Sequence, residues 1–170
     1  MNVYKDYSKI VLIFLFIYFV LLNFLQLSQQ HWSSILDQDI LTIYNSLLVS
    51  SGYDQEYRDH PAFTTFFIIG IFFKFFSIFF DNFSIQEILV SDNIEADLQN
   101  LFVIVRVINS FFNFLFLLVL YKILKKFNLK ENICIISVLL LVFYSSFYEL
   151  LFLLRSELLS VLMVLTSLCK

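Results

Sequence analysis

Apolar residues in this chain fall into long blocks with short polar breaks. Residues 10–27 (IVLIFLFIYFVLLNFLQL), 101–121 (LFVIVRVINSFFNFLFLLVLY) and 133–154 (ICIISVLLLVFYSSFYELLFLL) are each 18 residues or longer. About 20 mostly apolar residues are what a helix needs to cross a bilayer with its backbone satisfied internally. The pattern therefore predicts spans at 10–27, 101–121 and 133–154, and a fourth, partial one at 158–170 that is cut off at Lys170. That cut reads as the N-terminal part of a longer protein or a truncated reading frame, with a short final helix whose Lys170 reaches the far interface as the plainer account. Between the first two spans, Leu36, Ile40, Ile43, Tyr44 and Leu47 recur at helical spacing and stop at Ser50-Ser51-Gly52, which predicts an amphipathic helix over about 35–49. Residues 62–80 (AFTTFFIIGIFFKFFSIFF) form another apolar block, opened by Pro61 and interrupted by Lys74.

Charge decides how these blocks sit. The 122–132 connection carries Lys122, Lys125, Lys126 and Lys130 against Glu131, and the N-terminus carries Lys5 and Lys9. Both belong on the cytoplasmic side. Residues 28–100 hold ten acids against Arg58 and Lys74, with no basic residue between 81 and 100. If 62–80 crossed the bilayer, the lysine cluster would be forced outside. The economical arrangement keeps 28–100 outside as one region with interfacial helices at about 35–49 and 62–80. The predicted fold class is all-α, a polytopic membrane helix bundle with extracytoplasmic juxtamembrane helices, in a single unit over 1–170.

Composition sharpens that picture by exclusion. With 60% hydrophobic and 15% charged residues, two Gly and one Pro, the chain is too apolar for a soluble globular domain of this size. Two cysteines, Cys134 and Cys169, rule out a disulfide framework. A net charge of −3 argues against nucleic acid as a partner. The bilayer itself is the first partner.

The chemistry rests on few residues. Asp37 and Asp39 open the amphipathic helix at the expected membrane–water boundary, where partial burial can tune a carboxylate for proton transfer. Glu56, Asp59 and His60 lie in the polar loop before Pro61 and could supply metal or phosphate contacts. Arg106 sits about five residues inside the second span, with Asn109 and Asn113 at i+3 and i+7 on one face; intramembrane polar residues usually face the bundle interior. Each also has a plainer account. Acids at a helix start are favoured by the macrodipole and solvated, a histidine beside a proline is ordinarily a surface residue, and an arginine near a helix end can snorkel to the interface.

The order of these parts resembles the N-terminal portion of the GT-C glycosyltransferases. It includes the DQD pair Asp37 to Asp39, the YNSLLVSSGYDQEYRDHPAF stretch with His60-Pro61, RVINS at Arg106 to Ser110, the basic YKILKKF tail, and Arg155-x-Glu157 before another apolar run. The likeness is greatest to the branch holding dolichyl-phosphate-mannose protein mannosyltransferases and aminoarabinose transferases. It spans residues 9–170, with HPA at 60–62 where many relatives read HPG. The resemblance implies an inverting transfer of a sugar from a polyprenyl-phosphate donor to an extracytoplasmic acceptor, at a bacterial inner (plasma) membrane. It implies Asp37 as the catalytic base with Asp39 second, and Glu157 as a metal- or acceptor-positioning acid on the same side of the membrane. Arg106, His60 and Glu56 would contact the donor phosphate or a metal. A divalent cation is a candidate cofactor, with the lipid-linked sugar as donor substrate, and the remaining C-terminal portion or a partner subunit would complete the donor pocket. Two readings from other classes stand beside this one: a non-catalytic integral membrane protein acting in assembly, and a fragment of an oligosaccharide polymerase or transporter.

Overall fold

The computed structural model describes residues 4–27, 37–57, 62–144 and 156–168. Seven helices account for most of them, with no strand among the described residues: α1 (Tyr4–Leu27), α2 (Asp37–Ser50), α3 (Phe63–Phe76), α4 (Ile85–Val90), α5 (Ile94–Lys126), α6 (Glu131–Val142) and α7 (Ser156–Leu168). The all-α class follows the helical spacing of the apolar residues. Among these helices α5 is long and apolar enough to cross a membrane.

Helix α5 is the spine. Its 33 residues make it about 50 Å long, well beyond the roughly 30 Å of a hydrocarbon layer. It extends the apolar block 101–121 at both ends with polar turns. Asn93 caps the start by accepting from the Ala96 amide, Glu95 and Asp97 fill the first turn, and Lys125 and Lys126 fill the last. Each charge thus sits at the helix end whose dipole favours it. After Lys126 the chain reverses through Asn128, whose φ of 58° is a left-handed conformation that Asn tolerates. It returns as α6 after four residues, so α5 and α6 are antiparallel neighbours.

Two cores lie along this spine. Around its N-terminal half, Leu101, Phe102 and Val105 pack with Ile43 and Leu47 of α2, Ile69 and Phe73 of α3, Phe83, and Ile88 of α4. Around its C-terminal half, Leu117 packs with Leu15 of α1 and with Val138 and Val142 of α6. A ring contact of 4.8 Å between Phe16 and Phe114 joins α1 to the same stretch. Phe24, late in α1, lines one cleft with Leu101 and Ile104, early in α5. Leu15, earlier in α1, meets Leu117, later in α5. The two helices therefore run antiparallel, and α1 is parallel to α6. Helix α7 packs on α5 and, less extensively, on α3.

Helices α2 and α3 form a tight hairpin. Helix α2 stops where Gly52 takes a φ of 80°. The Tyr53 amide reaches back to the Leu48 carbonyl and the Gly52 amide to that of Val49, both within 3.1 Å, a Schellman termination that favours glycine at this position. Gly70 lets α3 approach: a Cβ there would lie 2.6 Å from Val49 Cβ and 3.0 Å from the Ser46 carbonyl oxygen. The approach closes α2 in on its polar side, so Thr42, Asn45 and Ser46 are buried along with Ile43 and Leu47. The apolar stripe predicted to lie on lipid packs largely against protein instead, with Ile40 left exposed. Lipid-like exposure belongs to α3: Phe63, Phe67, Ile71 and Phe75 repeat every fourth residue and are all exposed, followed by Ile78, Phe79 and Phe80. At 14 residues, about 21 Å, α3 is shorter than the 62–80 block and than a hydrocarbon layer.

Two further departures follow. Helix α4 is absent from the hydropathy pattern; it is made by a capping box in which the Glu87 amide donates to Ser84 Oγ and the Ser84 amide to Glu87 Oε2. Helix α6 begins near the expected position but ends at Val142, with Phe143 and Tyr144 in a turn. The remainder of the 133–154 block lies outside the described residues, as do Asp59, Pro61 and Arg155.

Candidate functional site

Asp37 and Asp39 occupy the first turn of α2, where the unpaired amides and the positive end of the helix dipole favour carboxylates. Their side chains lie outside the described residues. Two turns further on, about 10 Å along the axis, the α2 surface holds the following loop in place. The Tyr44 hydroxyl donates to Glu56 Oε1 at 2.7 Å, the Glu56 amide donates to Asn45 Oδ1 at 3.0 Å, and Asn45 Nδ2 donates to the Leu41 carbonyl at 2.9 Å. The hydrogen bond to Glu56 raises the Tyr44 phenol pKa above its ordinary value, with burial and the carboxylate charge acting in the same sense. Glu56, expected as a metal or phosphate contact, is thus anchored to the helix that begins with Asp37. Beside it Gln55 is buried, and its Oε1 makes no hydrogen bond.

The second part of the site is a polar stripe on α5. Arg106, Asn109, Ser110 and Asn113 are all buried, as their i, i+3, i+4, i+7 spacing requires of one inward helix face. The Arg106 guanidinium carbon lies 4.7 Å from the centre of the Phe102 ring, one turn earlier. An aromatic face attracts a desolvated cation and fixes its direction. Ser110 Oγ donates to the Arg106 carbonyl at 3.0 Å. Asn113 is fully buried, and neither atom of its amide makes a hydrogen bond. A buried amide without partners is costly, about 1–3 kcal/mol on mutational scales, so such a group marks a place where a partner is expected.

Phe102 joins the two parts. It belongs to the buried cluster that holds Ile43 and Leu47 of α2, and its ring lies under the Arg106 guanidinium. The helix that starts at Asp37 is therefore seated one turn from a buried, permanently charged guanidinium. Between α2, α4 and α5 lies an apolar cavity of about 150 Å³, walled by Ile40, Tyr44, Leu47, Ile85, Leu98 and Phe102 among others. Glu157 is the second residue of α7, which packs on α5; its side chain lies outside the described residues, as does His60 entirely. Among the described residues no group of three or more His, Cys, Asp or Glu could hold a metal.

Sequence reasoning singled out Arg106 and its inward face but not Tyr44, Asn45 and Gln55. Nothing in a polar loop sequence says which of its side chains will be clamped to a neighbouring helix. No family model, curated protein or solved structure matches this chain.

Proposed function

We propose that this chain is part of a polytopic membrane glycosyltransferase that moves a sugar from a polyprenyl-phosphate donor to an acceptor on the extracytoplasmic face. In this reading α1, α5 and α6 cross the bilayer. The exposed apolar rows Ile10, Ile13, Phe14, Ile17 and Leu21 on α1, and Ile133, Ile136 and Leu140 on α6, are what lipid-facing surfaces require. The antiparallel order of α1 and α5, with acids at the start of α5 and lysines at its end, supports the same orientation.

The observation that carries the enzymatic part is the seating of α2 on α5 through Phe102, next to the buried Arg106. Asp37 takes the proton of an acceptor hydroxyl, and the acceptor oxygen attacks the anomeric carbon from the face opposite the lipid phosphate. The bond between that carbon and the phosphate oxygen breaks, and the sugar is transferred with inversion. The leaving polyprenyl phosphate gains charge in this step, and a fixed guanidinium that needs no reorientation stabilises it better than water does. Burial beside a ring keeps Arg106 poised for that role, as guanidinium forks suit phosphate oxygens.

The test uses the protein expressed from its full reading frame, in membranes, with a labelled polyprenyl-phosphate sugar as donor. Asp37→Asn is expected to lower transfer at least a hundredfold, with donor binding retained. Arg106→Lys is expected to weaken transfer because a point charge cannot reproduce the fork. Unchanged transfer in Asp37→Asn would sink the assignment of the base. Absence of any transfer by the unaltered protein would favour the non-catalytic assembly reading.

A further inference from the structure

Outside the site just described, a large cleft lies where the end of α1, the end of α3 and the first turns of α5 converge. Its volume is about 620 Å³, several times that of the α2 cavity. One wall is apolar, with Phe24 from α1, Phe76 and Phe80 from α3 and its following turn, and Val103 and Ile104 from α5. Phe24 and Phe80 are exposed, so this wall is continuous with the surface assigned above to lipid. The other wall is polar and acidic: Asp81, Asn82, Asp97 and Asn100. It lies at the N-terminal turns of α5, the level at which that helix leaves the hydrocarbon layer.

The polar wall is built, not incidental. Asn82 is held at a φ of 70° while its Nδ2 donates to Asp97 Oδ1 at 2.9 Å. Ser91 donates to the other oxygen of Asp97. Asp97 therefore stays in place as an acceptor with lone pairs to spare. Asp81 is exposed at the mouth. No basic residue lies between 81 and 100, and no Lys or Arg is among the described residues lining the cleft. A cleft with this charge repels an anionic head and attracts a cationic one. The side amides of Asn82 and Asn100 add N–H donors beside the carboxylates, which suit a phosphodiester.

We propose that this cleft binds a phospholipid with a primary ammonium head, of the phosphatidylethanolamine class. The acyl chain lies along Phe24, Val103 and Ile104, the ammonium sits between Asp81 and Asp97, and the phosphodiester meets the asparagine amides. The bound lipid would fill the gap between α1 and the outer helices at the bilayer surface. The proposal rests on the membrane reading but not on the transferase reading.

The test is retention of defined lipids by the purified full chain, measured by native mass spectrometry after exchange into mixed micelles of phosphatidylethanolamine and phosphatidylglycerol. Phosphatidylethanolamine is expected to be retained about tenfold more than phosphatidylglycerol, the effect of about one charge-assisted hydrogen bond. Asp81→Asn should reduce that preference severalfold, and Asp81→Lys, at an exposed position, should reverse it. Ile104→Trp, which fills the apolar wall, should abolish retention of both lipids. Equal retention by the unaltered chain, or a preference untouched by Asp81→Lys, would overturn the proposal. Carbonate-resistant sedimentation with membranes separates the two failures. A chain that does not sediment defeats the membrane reading and this proposal together, whereas a membrane-embedded chain without lipid preference defeats this proposal alone.

Discussion

The two halves of α5 are held by different kinds of contact. Its N-terminal half, with α2, α3 and α4, combines an aromatic core with a mesh of side-chain hydrogen bonds. Ser50 Oγ donates to the Phe83 carbonyl, the Ile85 amide donates to Ser51 Oγ, Gln86 Nε2 donates to the Tyr53 hydroxyl, and Asn82 donates to Asp97. Its C-terminal half, with α1 and α6, is joined by aliphatic side chains and a ring pair. Hydrogen bonds described there, Tyr121 to Glu131 at 3.4 Å and the Cys134 thiol to the Leu129 carbonyl at 3.8 Å, sit near the α5–α6 turn. Hydrogen bonds fix direction, and apolar packing fixes little beyond proximity. The first half is therefore suited to holding its side chains in register, and the second to letting its helices adjust against one another. The buried stripe from Arg106 to Asn113 lies at the joint between them.

Truncation of each core is the harshest test of that contrast. Phe102→Ala removes a fully buried ring that seats α2 and faces Arg106, and is expected to cost about 3–5 kcal/mol. Leu117→Ala, equally buried in the other core, should cost about 2 kcal/mol, the low end of the range, because apolar neighbours can shift into the gap. Reversible unfolding in micelles measures both, and equal losses would erase the distinction between the halves. Gly70→Ala comes next. Its Cβ would collide with Val49, so α3 must withdraw from α2, at about 1–3 kcal/mol; the same change at Gly52, with open space around it but a positive φ, should act through the turn and leave the hairpin spacing intact.

At the joint the sign reverses. Asn113→Leu replaces an amide that makes no hydrogen bond by an apolar group of similar size, and is expected to raise stability by about 1–2 kcal/mol. If transfer activity falls while stability rises, the amide is there for a ligand and not for the fold. A fall in both would show instead that Asn113 is satisfied by an internal water.

These contacts explain what could be read from the chain in advance. The blocks at 10–27 and 101–121 announced α1 and α5, because uninterrupted apolar residues leave a helix little alternative. The polar ends of α5 escaped notice because they depend on local signals, the Asn93 cap and the charges at each terminus, not on hydropathy. Helix α4 is too short to show a period, although its Ser84-x-x-Glu87 box was present to be read. Spacing put Arg106, Asn109 and Asn113 on one face and left open whether the arginine turned inward or snorkelled to the interface; its burial favours the inward placement. The burial of Thr42, Asn45 and Ser46 did not follow from spacing, since it depends on how closely α3 approaches at Gly70, a tertiary fact. Asp37 and Asp39 were placed at the start of a helix by pattern, but the clamp that ties Glu56 to that helix comes from a loop whose path no periodicity encodes.

The smallest effect separates the halves by pH. The Tyr44 phenol donates its proton to Glu56, and its pKa is raised by that bond. A group whose pKa is raised on folding holds its contribution in full below the unfolded value, about 10 for tyrosine, and loses it as pH climbs through the folded value. The clamp should thus be intact at neutral pH and at pH 9, and should open only in stronger alkali, once the phenolate and the carboxylate repel. The Glu56 amide, bonded to Asn45, reports on it: its hydrogen-exchange protection should fall above about pH 10. Tyr44→Phe, which lacks the donor at every pH, should show weaker protection with no alkaline step. Amides of α1 and α6, far from this pair, serve as the reference for the intrinsic acceleration of exchange by base. A step in the reference helices at the same pH would mean that the whole bundle is loosening. A step confined to the Glu56 loop would locate the directional, titratable contacts on the side of α5 where α2 begins with Asp37.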